Sequence, residues 1–204
     1  MKSLLKIYSY FGFVIALTVA QSEVEEKFIS SKIVPDVLNI PPEASCVVNY
    51  SGRVVKIGET LEISKTLMEP SVQFDFDPQE FYTIAMVDPD APSPNAPAMR
   101  EFKHWLVVNV QSSSQGAPVQ GSSGDTLAAY MSPAPLSPAP HRYIVLVYRQ
   151  PGRLEFDEPI IVKTAGSSAL RTNFKVQKFA EKYNLTGPVC GSFFYEQMNK
   201  VISL

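Results

Sequence analysis

Apolar residues along the 204-residue chain fall into three kinds of run. Phe81–Val87, His104–Val110 and Tyr143–Tyr148 are almost continuously apolar, the pattern of central strands covered on both faces. Val72-Gln73-Phe74-Asp75-Phe76 alternates apolar and polar residues, as a half-buried strand does. Cys46–Tyr50 and Arg53–Ile57, separated by Gly52, are further strand candidates. Helical spacing marks the two ends. Ser22-Glu23-Val24-Glu25 reads as a capping box that opens a short helix stopping near Pro35. Val176, Phe179, Ala180 and Tyr183 recur at i, i+3, i+4, i+7 and predict a helix capped by Asn173. Phe194, Met198, Val201 and Ile202 predict a second helix at the C-terminus. Gln111–Asp125, rich in Ser, Gly and Gln, reads as an exposed loop, and Leu127–Tyr130 as a helical turn. With strands in the middle and helices at the ends, the chain predicts a mostly β fold with antiparallel or mixed sheets and peripheral and C-terminal helices, not alternating βαβ units. No repeat or linker divides it.

The first twenty residues stand apart. Lys2 and Lys6 precede Ile7–Ala20, fourteen nearly all-apolar residues ending in Thr18-Val19-Ala20. As a helix that run reaches only about 21 Å, short of a bilayer core of about 30 Å. Residues 1–20 are therefore read as a cleaved secretory signal with the cut near Ala20–Gln21, ahead of a single domain over 21–204; an uncleaved anchor is the alternative. Cleavage takes the 18 basic residues to 16 against 20 acidic, deepening the net charge from −2 to −4. Two sequons, Asn49-Tyr50-Ser51 and Asn184-Leu185-Thr186, agree with export, and Asn184, just past a predicted helix, is expected to be the more accessible. Cys46 and Cys190 either pair in an oxidising compartment or sit as two buried thiols; the reading inclines to the unpaired state.

With 45% hydrophobic residues the chain is globular, and without a basic block it offers no nucleic-acid surface. No G-x-G-x-x-G or Walker loop is present, nor G-x-S-x-G or H-E-x-x-H. The two histidines and two aspartates match no standard metal-ligand spacing. Neither metal nor cofactor is expected, and no enzymatic activity.

The chemistry gathers in the punctuation. The chain has two histidines, and each begins a central strand after a proline-rich loop. Pro89, Pro92, Pro94 and Pro97 precede His104; Pro133, Pro135, Pro138 and Pro140 precede His141. If Phe81–Val87 and His104–Val110 run antiparallel, Asp88 and His104 meet at one end of the sheet. If Tyr143–Tyr148 runs parallel to His104–Val110, His141 and Tyr143 join them. Prolines stiffen the rim, because each fixes its φ and an X–Pro bond is able to be cis. Such a mouth suits a small oxyanion that also carries a hydroxyl or amine. Asp88 is expected to accept from that hydroxyl or amine and His104 to donate to the oxyanion, with a dependence on His104 that grows as pH rises past about 6.5.

"YTIAMVDPDAPS", ten residues, and then His104 resemble the signature of the phosphatidylethanolamine-binding proteins. "FKHWLVVNV", "HRYIVLVYRQ", "FDEPI", "FKVQKFAEKYNL" and "GPVCGSFF" resemble later family blocks in the right order, from about Val34 onward. The resemblance implies a central β-sheet packed on a smaller one and an anion pocket built from Asp88, Pro92, His104, His141 and Tyr143, with Asp90 and Arg100 shaping its loop. It implies a secreted, monomeric, non-catalytic binder of phospholipid headgroups or similar anions; the alternative is an inhibitor of a protein partner such as a serine protease, or the ligand of a receptor. Three departures stand out. Phe102 replaces a frequent tryptophan, "SPAPLSPAP" shortens a glycine-containing rim, and the C-terminus lacks a pocket-closing tyrosine.

Overall fold

A computed structural model describes residues 23–164 and 166–198. Two antiparallel sheets form its framework. The larger has five strands in the order β6-β5-β4-β7-β8: β4 (Tyr82–Asp88), β5 (Phe102–Val110), β6 (Asp125–Ala128), β7 (His141–Arg149) and β8 (Thr186–Glu196). The smaller runs β2-β1-β3, from β1 (Val47–Tyr50), β2 (Arg53–Val54) and β3 (Ser71–Gln73). Helices cover residues 23–30 and Val176–Lys182.

The continuous apolar runs form the middle of the large sheet because both its faces are covered. Every residue of β4 and β5 is buried. Ile84, Met86, Trp105, Val107, Val145 and Val147 pack toward the small sheet, against Val48, Tyr50 and Val72. Ala85, Val87, Leu106, Val108, Ile144 and Leu146 face the other way, toward Phe28 and the helix residues Val176 and Phe179. Neighbouring residues of one strand thus serve two cores, which requires apolar side chains at both parities. Gly191 permits the closest approach: a Cβ there would lie 2.5 Å from Pro42 and 2.9 Å from Phe28.

Several expectations change. Phe194 lies in β8, not in a C-terminal helix; the long pairing of β8 with β7, from His141↔Glu196 to Arg149↔Thr186, overrides the i, i+4 spacing. Val201 and Ile202 lie outside the described residues, as does Ser22 of the capping box. Leu127 and Ala128 belong to edge strand β6, held by Leu106↔Ala128 and by a bridge from Ala128 to Ile161, so no helical turn forms there. The candidate Arg53–Ile57 shrinks to the two residues of β2. Asn173 does not cap the late helix. Its backbone is left-handed at φ 60, and the buried carboxylate of Glu101 accepts the Val176 N–H at 3.0 Å instead.

The cysteines also depart from the reading. Cys46 and Cys190 form a disulfide, with Cα atoms 5.4 Å apart and a sequence separation of 144. The segment ahead of β1 runs beside β8, with Cys46 N–H donating to Gly191 O and Gly191 N–H to Ala44 O. That contact joins distant parts of the chain and leaves no local trace in the sequence. Among the described residues no helix is long and apolar enough to cross a membrane.

Candidate functional site

β4 is antiparallel to both of its neighbours, β5 and β7, which therefore run parallel to each other on either side of it. The C-terminal end of β4 thus meets the N-terminal ends of β5 and β7. Asp88, His104, His141 and Tyr143 converge there, and Pro92, after a cis Ala91–Pro92 peptide, completes the set around a cavity of about 350 Å³. Its remaining wall is largely apolar, including Met99, Phe102 and Met131. All five residues assigned to the pocket line this cavity. Phe102, in the place of a tryptophan, stacks at a tilt on His104, with ring centroids 4.9 Å apart.

The hydrogen bonds divide the labour differently from the expectation. His104 Nδ1 lies 2.7 Å from the Met131 carbonyl, and a carbonyl only accepts, so Nδ1 carries the proton. The neutral ring then has an acceptor at Nε2. Burial disfavours the charged imidazole and lowers the His104 pKa below its usual value, with the nearby Asp88 carboxylate opposing the shift. His104 is thus an acceptor at neutral pH, not the donor to an oxyanion that the sequence reading expected. His141 is committed at both nitrogens: Nδ1 donates to Asp88 Oδ2 at 2.8 Å, and Nε2 lies 3.1 Å from Ser137 Oγ. Its expected role as a ligand donor passes to other groups. Asp88 Oδ1 accepts the Asp90 N–H at 2.7 Å, which orients the carboxylate. Tyr143 stands between the histidines, edge-on to His104 and stacked with His141. Burial, then Asp88 and Glu196, push its phenol pKa well up, so it remains a neutral O–H donor.

Donors come from the rim. Ser132, Ala134 and Leu136 line the cavity, and among the described residues their backbone N–H groups find no hydrogen-bond partner. The prolines between them have no N–H and cannot zip the segment into a strand or helix. An alternating proline loop leaves such donors free by construction. The mouth therefore offers acceptors at Asp88 and His104 Nε2, and donors at Tyr143 and along the rim.

Asp90 and Arg100 lie outside the cavity. Asp90 takes a forked pair of bonds from Arg142, Nε to Oδ2 at 2.9 Å and Nη2 to Oδ1 at 2.6 Å, plus the Arg142 backbone N–H at 2.8 Å. Arg142 and Arg100 both bind Asp36 Oδ2, at 2.8 and 2.6 Å. These four side chains tie the loop after β4 to the segment after the N-terminal helix, along an adjoining open groove. Arg142 was missed; standing next to His141, it read as part of the strand. Arg171 was missed as well. It is fully buried and donates to the carbonyls of Lys103, His104 and Ala129, bracing the start of β5 from behind. Two buried carboxyls flank the site. Glu101 and Glu196 are each pushed up to about 7, chiefly by burial. Among the described residues no cluster of three or more His, Cys, Asp or Glu side chains is placed to hold a metal ion.

Two antiparallel sheets thus carry a cavity lined by donors and acceptors at the strand ends. The sequence profile of the family described as "Phosphatidylethanolamine-binding protein" matches residues 38–194, and the chain belongs to that family. Among its relatives, FLOWERING LOCUS T of Arabidopsis thaliana is 34% identical over 173 residues, covering 84% of this chain and 90% of that protein. The 26 kDa secreted antigen of Toxocara canis is 34% identical over 172 residues, covering 83% of this chain and 63% of the antigen. Among solved structures, the carboxypeptidase Y inhibitor in complex with its cognate proteinase superposes with a TM-score of 0.72 at 26% identity, over 88% of this chain and 97% of the inhibitor.

Proposed function

We propose that the chain, freed of residues 1–20, is a secreted monomeric binding protein of one domain that holds a zwitterionic phosphate headgroup in the cavity at Asp88. The observation that carries this is the separation of acceptors from donors around one mouth. An ammonium group fits between Asp88 and His104 Nε2. A phosphate fits the free N–H groups of the 132–136 rim and the Tyr143 hydroxyl, without needing a charged histidine. The apolar wall at Met99, Phe102 and Met131 suits the carbon chain that joins the two charges. Family membership supports the ligand class, and likeness to a secreted antigen supports export. Titration calorimetry with phosphoethanolamine, choline and inorganic phosphate tests it. Phosphoethanolamine binds best if the mouth reads both charges. Equal affinity for phosphate alone would make the site a plain anion hole, and no binding by any of the three would remove the assignment.

The likeness to a proteinase inhibitor favours a second reading, in which the protein blocks a protease. A protease panel with purified mature protein separates the two. Inhibition that persists in His104→Ala would place that activity outside the cavity.

A further inference from the structure

The large sheet does not end at β6. Ile161 lies alongside it in parallel register, its N–H donating to Leu127 O at 2.7 Å and its carbonyl accepting the Ala129 N–H at 2.9 Å. Residues 160–162 are therefore the outer edge of the sheet on that side. Adjacent residues of a ladder turn their backbone groups to opposite sides, so Ile160 and Val162 direct theirs away from β6. The N–H and C=O of Ile160 and the N–H of Val162 have no hydrogen-bond partner among the described residues. The side chains are open as well. Ile160 is 71% exposed, Val162 58% and Leu170 60%, and all three line one cleft of about 290 Å³. Ser167 lines it too; it is only 5% exposed, and its buried Oγ has no hydrogen-bond partner among the described residues. We propose that this edge docks a short extended segment of a partner protein, apolar at alternate positions and bearing an acidic residue, which adds a strand to the sheet outside Ile160–Val162.

The chemistry of the edge selects the occupant. Donors and acceptors that alternate along a strand are matched by another extended backbone, whereas a helix has already spent its own groups internally. Side chains of an added strand alternate between its two faces, so every second one lies over the cleft formed by Ile160, Val162 and Leu170. The Ser167 hydroxyl is left to bond a polar group of the same segment. Charge adds a further constraint. Lys163 follows the edge directly, is exposed, and makes no ion pair among the described residues, so an acidic residue on the docked segment is its complement. Pro159 has no N–H and closes the edge at its other end, which keeps the docked stretch short. Proline and lysine are the residues that commonly guard a sheet edge. Here they bound a window that remains apolar and unpaired. The cleft shares no lining residue with the cavity at Asp88, so docking leaves the headgroup site open.

The test uses the intact mature protein. A phage-displayed library of random heptapeptides is selected on wild type. Enriched sequences are synthesised and titrated by fluorescence anisotropy against wild type, Val162→Pro and Lys163→Glu. Val162→Pro removes the outward N–H and no bond to β6, and circular dichroism checks its fold. Lys163→Glu changes only an exposed side chain, so it carries the test even where the proline variant does not fold. The expected peptides alternate apolar and polar residues and contain Asp or Glu. Their affinity should fall about 5-fold or more in Val162→Pro, the scale of one net backbone hydrogen bond. Lys163→Glu should cost about 2- to 5-fold, recovered when the peptide's acid is exchanged for lysine. No enrichment, equal affinity for both folded variants and wild type, or displacement of the peptides by phosphoethanolamine would overturn the proposal. A concentration-dependent dimer in sedimentation that Val162→Pro abolishes would give the edge to a second copy of this chain and overturn it too. Phosphoethanolamine affinity is measured separately, so this proposal and the headgroup reading fail independently.

Discussion

The two ends of the large sheet both bury polar groups, and they do so in opposite ways. At the end away from the cavity, Gln150 and Asn109 satisfy each other and their surroundings. Gln150 Oε1 accepts from Thr83 Oγ1 at 2.9 Å and from the Asn109 N–H at 2.8 Å, while its Nε2 donates to Asn109 Oδ1 at 2.8 Å and Gly152 O at 3.0 Å. Asn109 completes its own set with Asp125, with Leu154 O and with the Leu154 N–H. Each amide makes four side-chain hydrogen bonds, and none is left for a ligand. At the other end, His104 Nε2 and the N–H groups of the cavity-lining rim residues find no protein partner among the described residues. Buried polarity alone therefore marks neither structure nor function; what separates them is whether the groups already bind one another.

The contrast breaks first at Gln150. Gln150→Ala strands the Thr83 hydroxyl and the Asn109 N–H in the interior and removes one of the four hydrogen bonds of the Asn109 amide. Each unsatisfied group costs about 1–3 kcal/mol, so urea unfolding should show a loss of about 3 kcal/mol or more with headgroup affinity unchanged in the folded fraction. A loss below about 1 kcal/mol would show that this network is ornamental.

His104→Ala probes the other end. In the folded fraction it should weaken phosphoethanolamine about 10- to 150-fold, since a hydrogen bond to a charged group contributes about 1.5–3 kcal/mol. The pH dependence has the direction expected from the sequence, a reliance on His104 that grows with pH, but its cause is an acceptor at Nε2 and not a donor. Because burial holds the folded imidazole below its usual value, His104 remains an acceptor across neutral pH. Its contribution to stability is present above about 6.5 and is lost as pH falls toward the lowered folded value. Calorimetry between pH 5 and 8 should show affinity steady at the upper end and declining on acidification.

Glu196 sharpens the picture on the cavity side. Its Oε1 accepts from Thr66 at 2.6 Å, while Oε2 is buried without a partner among the described residues. With its folded pKa raised to about 7, the folded state keeps a proton that the unfolded chain releases near 4.5. Stability therefore declines as pH rises from about 4.5 to about 7. Glu196→Gln should flatten that decline by about 1–3 kcal/mol, measured as the difference between urea midpoints at pH 5 and pH 7.5. An unaltered slope would assign the decline to Glu101, which is raised equally.

The smallest effect concerns the far pole. Asn184 is exposed, just before the start of β8, whereas Asn49 is half-buried and accepts the Gly52 N–H at 2.7 Å. Secreted protein should carry its glycan at Asn184, far from the mouth. The glycosidase-induced mass shift should vanish in Asn184→Gln and persist in Asn49→Gln, with headgroup affinity unchanged in both.

Much of this was legible in the chain. The unbroken apolar runs placed β4, β5 and β7, because a strand covered on both faces needs apolar residues at both parities. The pairing of each histidine with a proline-rich loop pointed to the strand ends that border the cavity, because prolines interrupt strands where a rim begins. Asp88, Pro92, His104, His141 and Tyr143 followed from that local pattern and from the family motif. Tertiary structure alone decided the rest. The strand β8, the Cys46–Cys190 disulfide and the carboxylate cap from Glu101 join residues far apart in sequence, and local spacing carries no record of such partners. The same holds for the two histidines. Their positions are a property of the sequence, but which nitrogen is free depends on Met131, Asp88 and Ser137, groups that meet them only when the sheet has formed.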